Sequence, residues 1–285
     1  MPEGAHWGVP EGHTIHRLAR RLNETLGGRT VGASSPQGRF EQGAAAIDGQ
    51  PLLRAEAWGK YLFCDFGTGT ALHVHLGLIG KFRTVAFPPE EPTGAIRLRL
   101  VGEATTWDLS GPTRCDLVPP DEQDRIVDGL GADPLRRDAD PSAARARFAR
   151  TDRAIGATLL DQSIIAGIGN VYRAEILFLC GIHPARASST LTDDEFDELW
   201  SRTVHLLRIG ERSGRITTTD PDEIGVPRSR MRREDRLYVY HREHCRRCGT
   251  DLRTDRIGGR PITHCPSCQP VGRRRRGQRQ RAASR

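Results

Sequence analysis

The sequence of 285 residues lacks any long hydrophobic run and any N-terminal signal peptide, which argues against a membrane-spanning or secreted protein and favours a cytoplasmic one. Acidic residues are absent from the last fifteen positions, VGRRRRGQRQRAASR, which contain seven arginines. The other 270 residues carry 36 basic and 36 acidic side chains, so the charge of the body does not itself indicate DNA binding. We interpret residues 271–285 as a disordered, solvated arm that adds non-specific affinity for nucleic acids.

Cysteine is also scarce, and four of the seven cysteines lie in two pairs near the end of the sequence. Cys245-x-x-Cys248 and Cys265-x-x-Cys268 are separated by sixteen residues, the spacing of a four-thiolate zinc ribbon. Four protein thiolates leave no open coordination position, so we expect one structural zinc ion that takes no part in a reaction. The other three cysteines are expected to be reduced residues of the core: Cys64, Cys115 and Cys180.

The pattern of apolar residues changes along the chain and indicates an α+β protein with several domains. Apolar residues at helical spacing over residues 15–26, followed by two glycines, predict an amphipathic helix with a glycine C-cap. Alternating stretches such as LLRAEAWGKYLFCDF and AIRLRLVG predict an antiparallel sandwich or barrel. Beyond the linker-like GADPLRRDADP the spacing becomes helical, and Thr192 with Glu195 fits a capping box. Between the cysteine pairs, DRIGGRPITH predicts a hairpin that presents Arg256 or Arg260 outward.

Four stretches of the sequence, in this order, resemble the formamidopyrimidine-DNA glycosylase and endonuclease VIII family of base-excision repair enzymes. They are PEGHTIHRLARRL, then WGKYLFCDF with HVHLGLIGKF, then DQSIIAGIGNVYRAEILFLCGIHP, and finally GGRPITHCPSCQ. The resemblance covers about residues 9–269 and is closer to the endonuclease VIII branch. It implies an N-terminal β-sandwich with a flanking helix, a helix-two-turns-helix domain and a C-terminal zinc ribbon.

The resemblance also implies an activity and a partner. The protein would be a bifunctional DNA glycosylase and abasic-site lyase, which excises an oxidised base and cleaves the strand by β,δ-elimination. Its partner would be double-stranded DNA that contains an oxidised base or an abasic site, and we expect a cytoplasmic monomer that associates with the nucleoid. The expected domains are the catalytic β-sandwich at 9–130, the helix-two-turns-helix domain at 131–235, the zinc finger at 236–270 and the tail at 271–285.

The family nucleophile is the nitrogen of an N-terminal proline, and Pro-Glu-Gly occurs twice here, at Pro2 and at Pro10. Only Pro10 is followed by the helix that the family pattern requires. We therefore expect translation to begin at Val9, with its codon read as initiator methionine, and processing to expose Pro10. Glu11 then matches the family's acid/base glutamate, whereas taken alone it would be an acid favoured by the helix dipole.

Four further residues match family positions that contact DNA. Lys60 in WGKYL matches a β-turn lysine that contacts phosphate and assists the chemistry, and Asn170 in GIGNVY matches a phosphate-binding asparagine. Leu78 in HLGLIG matches the apolar residue that fills the gap left by the extruded nucleotide, and Arg260 matches the zinc-finger arginine. Taken alone, they would be a hairpin-turn charge, a helix N-cap, a packing residue and a solvated loop charge.

Several positions depart from the formamidopyrimidine glycosylase pattern. His13 and Thr14 stand where those enzymes have a proline or leucine and a glutamate, and DLSGPT at 108–113 replaces their inserted arginine-phenylalanine pair. Residues 217–232 show no match to the purine-capping loop. These departures favour oxidised pyrimidines as substrates. His264 replaces an aromatic residue that often precedes the third cysteine, and we expect this change to matter little.

Two other functions are compatible with the same residues. One is a catalytically inactive protein that binds damaged DNA, because Pro10 is not the first residue of the sequence. A zinc-ribbon protein that binds RNA or protein would account for the cysteines and the tail but not for the N-terminal match. His73 and His75 share a strand face, but with no third ligand nearby we favour packing or phosphate contact over a metal site.

Overall fold

The computed structural model describes residues 10–271. Pro2, the predicted start at Val9 and almost all of the arginine-rich tail therefore lie outside the described residues. The chain forms two compact units. The first contains the described part of Met1–Ala139 together with Ile165–Gly169 and Leu207–Arg215, and the second contains the other described residues. Among residues 10–271, no helix is long and apolar enough to cross a membrane.

The first unit is an antiparallel β-sandwich with a flanking helix, so this part of the predicted fold is confirmed. Its helices are α1 (Gly12–Leu26), α2 (Glu41–Ile47) and α3 (Pro120–Asp128). Its strands are β1 (Thr30–Ser34), β2 (Gln50–Pro51), β3 (Arg54–Trp58), β4 (Tyr61–Asp65), β5 (Ala71–His75), β6 (Lys81–Val85), β7 (Ile96–Val101), β8 (Thr106–Ser110) and β9 (Arg114–Val118). One sheet has the order β2-β1-β7-β8-β6 and the other has the order β3-β4-β5-β9.

Helix α1 forms where the apolar spacing predicted it and packs against β3 and β4. Ile15, Leu22 and Leu26 are fully buried in the main core, because residues three, four or seven apart share one face of a helix. Glu11 is the N-cap residue and Gly27 the C-cap residue. The helix therefore begins immediately after the Pro-Glu pair.

Strand β5 is buried on both faces. Leu72 and Val74 lie in the main core between the sheets, whereas Ala71 packs with Phe63 in a smaller cluster on the outer face. His73 is also fully buried on this outer face, where its ring stacks on Phe63 at 4.7 Å between centroids. The packing interpretation of His73 is thus the one that the structure supports.

The second unit is mainly helical and ends in a hairpin. Its helices are α4 (Ser142–Ala149), α5 (Ile155–Thr158), α6 (Asn170–Cys180), α7 (Asp193–Ser213) and α8 (Pro221–Ile224), and its strands are β10 (Arg253–Ile257) and β11 (Arg260–His264). The last part of α7, from Leu207, belongs to the first unit. The predicted capping box is present, because Thr192 N–H donates to Glu195 Oε2 at 2.9 Å and Glu195 N–H donates to Thr192 Oγ1 at 3.2 Å.

Two predictions, one about a core cysteine and one about a linker, need correction. Cys180 is only half-buried, at the end of α6, whereas Cys64 and Cys115 are core residues as expected. The stretch GADPLRRDADP is not a plain linker, because Asp133 within it is 4 % exposed and accepts hydrogen bonds from distant parts of the first unit. A polar residue in a loop-like sequence can be buried when backbone amides satisfy its carboxylate, and the local sequence does not reveal those partners.

Candidate functional site

The Pro-Glu pair lies against a loop from much later in the sequence. Pro10 is half-buried and Glu11 is fully buried. Glu11 Oε2 accepts a hydrogen bond from the backbone N–H of Gly169 at 2.7 Å, and Gly12 N–H donates to the carbonyl oxygen of Gly167 at 2.8 Å. We call Ile165–Gly169 the glycine loop. Two hydrogen bonds thus hold the start of α1 against the glycine loop, with the Glu11 carboxylate directed at its backbone.

Glycine is required on both sides of this contact. A Cβ atom added at Gly169 would lie 2.4 Å from the carboxyl carbon of Glu11, and one added at Gly12 would lie 2.8 Å from the Cα of Gly167. Gly167 itself has a φ of +97°, which residues with a Cβ rarely adopt. The close approach of the two backbones therefore depends on the absence of side chains, and the position of Glu11 depends on that approach.

Lys60 reaches the same loop from the β3–β4 turn. Its Nζ donates to the carbonyl oxygen of Ile168 at 2.6 Å. The turn consists of Gly59 and Lys60, because Trp58 pairs with Tyr61, and Gly59 has a φ of +57°. Glu11 and Lys60, both predicted from the sequence, are therefore brought together on the glycine loop.

Asp133 positions this turn and was not identified in the sequence. Its Oδ2 accepts hydrogen bonds from Gly59 N–H and from His16 Nε2, both at 2.7 Å. Its Oδ1 accepts a hydrogen bond from Leu135 N–H at 2.9 Å. Because a buried carboxylate is costly unless it is hydrogen-bonded, these contacts hold the turn rigidly. An acidic residue in a Pro-containing loop gave no local signal of this role.

The predicted gap-filling residue lies at an exposed tip. Leu78 is 57 % exposed and its neighbour Ile79 is 74 % exposed, in the turn between β5 and β6. Isolated apolar residues on a surface need no explanation, but these two adjacent side chains form a small exposed apolar surface at the tip of the turn. Ile79 was missed in the sequence, although it follows Leu78 directly.

In the second unit, a buried arginine connects Asn170 to the hairpin. Arg173 is fully buried, and its Nε donates to Asn170 Oδ1 at 2.9 Å. Its two terminal nitrogens donate to backbone carbonyl oxygens at 2.8–3.2 Å: those of Gly156, Ile257, Arg260 and Pro261. The guanidinium thus ties the first residue of α6 to both strands of the hairpin, while the side chain of Arg260 is exposed at the turn.

The segment that precedes the cysteines is anchored on a buried carboxylate. Glu175 accepts hydrogen bonds at 2.8 Å from three successive backbone N–H groups, those of Tyr238, Val239 and Tyr240, and another from the hydroxyl of Thr218. The polar and irregular sequence around residues 217–236 is therefore held in place from α6. Neither Arg173 nor Glu175 was identified from the sequence, where both read as ordinary polar positions of a helix.

The four paired cysteines form one cluster. The Sγ atoms of Cys245, Cys248, Cys265 and Cys268 all lie within 4.8 Å of one another, and three of the pairs are 3.5–3.9 Å apart. Thiolates on a tetrahedral zinc ion would be about 3.8 Å apart. Burial opposes ionisation of Cys248, but hydrogen bonding with Thr250 and with the facing thiols outweighs burial and lowers the pKa of Cys248 to about 6. By contrast, burial raises the pKa of Cys245 and Cys268. The donor set and spacing fit a metal ion that binds thiolates.

His13 and Thr14, the two departures near Glu11, are also at the start of α1. His13 is 4 % exposed, and burial, reinforced by Arg17 and His16, lowers its pKa to about 3. Its ring therefore stays neutral near neutral pH. Thr14 Oγ1 lies 3.3 Å from His13 Nε2. The first turn of α1 thus presents a neutral imidazole and a hydroxyl at the two positions.

Comparison with known proteins agrees with this arrangement. Residues 9–114 match the family described as the formamidopyrimidine-DNA glycosylase N-terminal domain, and residues 130–222 match the formamidopyrimidine-DNA glycosylase H2TH domain. The chain is 46 % identical over 268 residues to endonuclease 8 1 of Mycobacterium tuberculosis, and the aligned region covers 92 % of this chain and all of the relative. It is 31 % identical over 280 residues to the formamidopyrimidine-DNA glycosylase of Desulfitobacterium hafniense, which covers 94 % of this chain and all of that relative.

A solved structure shares the fold. It is the Lactococcus lactis formamidopyrimidine-DNA glycosylase bound non-covalently to DNA that contains an abasic site, with a TM-score of 0.74 and 23 % identity over 91 % of this chain and 99 % of that chain. The predicted resemblance is thereby confirmed. The chain belongs to the formamidopyrimidine-DNA glycosylase and endonuclease VIII family, within its endonuclease VIII-like branch, and is a DNA glycosylase and abasic-site lyase of base-excision repair.

Proposed function

We propose that the protein excises oxidised pyrimidines from double-stranded DNA through a Schiff base on Pro10 and then cleaves the strand by β,δ-elimination. The observation that carries this proposal is the burial of Glu11 beside Pro10, with its carboxylate on the glycine loop that Lys60 also contacts. A nucleophile, an acid/base group and a cation would then act at one place. This is the minimum set for displacing a base and opening a sugar ring.

The proposed nucleophile must be the first residue of the working chain. A proline nitrogen inside a chain is a tertiary amide whose lone pair is delocalised, whereas an N-terminal proline is a secondary amine. The pKa of an ordinary α-amino group is about 7.7–8.0, so a useful neutral fraction exists near physiological pH. We therefore propose that Pro10 becomes the first residue of the active chain by initiation at Val9 and removal of that initiator residue.

The proposed reaction begins with attack of the neutral Pro10 nitrogen on C1′ of the damaged nucleotide. The bond from C1′ to the base breaks, the base leaves with its electron pair and takes up a proton, and the attacking nitrogen releases its proton. Glu11 then protonates the ring oxygen O4′ as the ring opens, which leaves an iminium between nitrogen and C1′. The iminium acidifies C2′, so that loss of its proton expels the 3′ phosphate, and a second elimination expels the 5′ phosphate.

The DNA is proposed to be held by three groups besides the nucleophile. Lys60 would contact phosphate beside the lesion, Asn170 would bind phosphate with the backbone amides at the start of α6, and Arg260 would bind phosphate through its guanidinium. Leu78, with Ile79 next to it, would occupy the space vacated by the extruded nucleotide, because both are exposed at a turn. The partner is DNA that contains an oxidised base or an abasic site.

We propose that the cysteine cluster holds one structural zinc ion. Cys245, Cys248, Cys265 and Cys268 would be its four ligands, and no coordination position would be open to substrate. When bound, the ion would supply a rigid connection at the base of the hairpin, and the hairpin would present Arg260.

The preference for pyrimidines rests on the residues at the start of α1 and on the curated relative. That relative, 46 % identical, carries the name endonuclease 8, and His13 with Thr14 departs from the formamidopyrimidine glycosylase pattern. We further propose a monomeric, cytoplasmic enzyme with domains at 9–130, 131–235 and 236–270.

Borohydride trapping tests the mechanism directly. The purified native protein is sequenced from its N-terminus and incubated with an abasic-site duplex and borohydride, and the cross-linked peptide is identified by mass spectrometry. We expect a chain that begins at Pro10 and a cross-link on that residue. A cross-link elsewhere would overturn the assignment of the nucleophile, and a chain that binds the duplex without any cross-link would be an inactive DNA-binding protein.

A further inference from the structure

Three potential metal ligands meet beside the hairpin, apart from the four cysteines. They are His183, in the turn after α6, Asp255 on β10 and His264 at the end of β11, and one ligand atom of each lies within 4.8 Å of the others. His183 is 8 % exposed and His264 is 2 % exposed, whereas the Asp255 side chain is 48 % exposed. Two buried imidazoles thus meet a carboxylate that reaches solvent.

The positions of these side chains are set by contacts that do not involve a metal. Arg253 pairs with His264 and Asp255 with Ile262, so that Asp255 and His264 are diagonal neighbours on one face of the hairpin. His264 Nε2 lies 2.9 Å from Asp255 Oδ2. The ring centroids of His183 and His264 are 4.6 Å apart.

The turn that carries His183 is fixed by Gln269. Gln269 Nε2 donates to the carbonyl oxygen of Ile182 at 2.8 Å, and Gln269 Oε1 accepts a hydrogen bond from Cys265 N–H at 2.9 Å. One glutamine thus joins the residues that precede His183 and follow His264. The three candidate ligands are therefore held close together by the surrounding backbone.

One atom in this cluster has no partner among the described residues. His264 Nδ1 is buried and makes no hydrogen bond. Nε2 faces Asp255, so Nε2 is the nitrogen that would bind an ion together with that carboxylate, and Nδ1 would then carry the ring proton. Two imidazoles and one carboxylate are donors that suit zinc and its neighbours among the transition metals, and they leave a fourth position open to solvent.

We propose that His183, Asp255 and His264 form a second metal site, which binds Zn²⁺ or a similar transition-metal ion and connects the hairpin to the turn after α6. It is separate from the cysteine cluster and does not depend on glycosylase activity. Ligands around zinc are about 3.4 Å apart when the bonds are 2.0–2.1 Å, so that the rings need to move by about 1 Å to close on the ion.

This site should bind its ion more weakly than the four cysteines do. His183 Nδ1 accepts a hydrogen bond from Ala185 N–H at 3.1 Å, and His264 Nε2 is paired with Asp255. If His183 binds the ion through Nε2, the ring proton moves to Nδ1. Nδ1 can then no longer accept the hydrogen bond from Ala185 N–H. Metal binding thus competes with the existing hydrogen bond from Ala185 N–H.

Metal titration of the full chain tests the proposal. The metal-free protein is titrated with Co²⁺ under reducing conditions, and bound Zn²⁺ is counted separately by elemental analysis after equilibrium dialysis. We expect two ions per chain. The first gives thiolate-to-cobalt charge-transfer absorption, and the second adds only the weaker ligand-field bands of a nitrogen and oxygen site.

The variants His264→Phe and Asp255→Asn locate the second ion. We expect each to keep the first ion and its charge-transfer band and to bind the second more weakly, on the order of 100-fold for His264→Phe and tenfold for Asp255→Asn. The matched control is His244→Phe, because His244 also precedes a cysteine of the cluster and also pairs with an aspartate, Asp251, at 2.8 Å. This control should bind two ions as the parent does.

Three results would overturn the proposal. One is a parent chain that binds a single ion with thiolate absorption only, and another is a second ion whose affinity is unchanged in both variants. The third is equal weakening in the His244→Phe control. A single ion without thiolate absorption that is lost in His264→Phe would instead support this site and contradict the proposed zinc cluster.

Discussion

In the first unit, the groups proposed for chemistry are held where the start of α1 meets the glycine loop, with almost no side chain between the two backbones. In the second unit, the groups proposed for DNA contact are held by a long buried side chain, that of Arg173. Glu11 and Lys60 each bond to the backbone of the glycine loop. Asn170 and the Arg260 hairpin are joined by the guanidinium of Arg173. The first arrangement does not tolerate an added atom, and the second does not tolerate a lost hydrogen-bond donor.

The largest effect is expected from an added methyl group in the first unit. Gly169→Ala places a Cβ 2.4–2.6 Å from the Glu11 carboxyl group, so that Glu11 has to move by about 1 Å. We expect base excision and Schiff-base trapping to fall by on the order of 100- to 1000-fold. The measurement is single-turnover excision on a duplex with an oxidised pyrimidine.

The control for this prediction is Gly32→Ala in β1, where an added Cβ would make only ordinary contacts, the nearest at 3.7 Å. This variant should retain parental activity. Thermal unfolding of both variants separates a displaced carboxylate from a lost fold. Full activity in a folded Gly169→Ala variant would contradict the close-approach explanation.

The next effect concerns pH and is expected from two buried histidines of the first unit. Burial is the largest cause that lowers the pKa of both His13 and His73 to about 3, from an ordinary value of 6.5. Because the folded pKa lies below the unfolded one, stability is complete above pH 6.5 and is lost as the pH falls toward 3. We expect each histidine to cost roughly 2 kcal/mol between pH 7 and pH 5. Urea unfolding at these two pH values measures it.

A buried arginine provides the test of the second unit. Arg173→Lys keeps the charge but cannot reach five acceptors, which leaves several buried carbonyl groups without a partner. We expect the free energy of unfolding to fall by about 3 kcal/mol. The control Arg153→Lys alters an exposed pair with Asp161 and should change stability by less than about 0.5 kcal/mol. Equal effects in the two variants would contradict the anchoring role.

The smallest effect is a gain in stability at His73. Among residues 10–271, neither ring nitrogen of His73 has a hydrogen-bond partner, and Nδ1 is 3.9 Å from a carboxylate oxygen of Asp116. His73→Phe removes the buried polar atoms and keeps the stacking on Phe63. We expect about 1 kcal/mol of stabilisation at pH 7 and a halved loss of stability at pH 5. Denaturant unfolding at both pH values tests this, and a destabilised variant would show that His73 has a polar role.

The elements that were predicted well are those whose cause lies within a few residues. The apolar spacing of α1, the Thr192–Glu195 capping box and the Cys-x-x-Cys pairs each depend on neighbours at most seven residues away, and each is present. His264 was expected to matter little, yet it is buried and bonded to Asp255, because its partner on the neighbouring strand is nine positions earlier.

The residues that were missed are those whose partners are far away in sequence. Asp133 bonds to Gly59 across 74 positions and Arg173 to Ile257 across 84. No local pattern distinguishes such a residue from a solvated one, because its burial is a consequence of packing that other segments provide. Only the folded chain shows which polar groups are satisfied by backbone.

The amino-acid order alone therefore determined the secondary structure, the cysteine motif and the family, because periodicity, capping and ligand spacing are short-range properties. The contact of Glu11 and Lys60 with one loop, and the burial of Arg173 and His183, were decided by tertiary structure. Those contacts require side chains to lie within about 3 Å of backbone groups that are distant in sequence, and such groups come together only once the sheets and helices have packed.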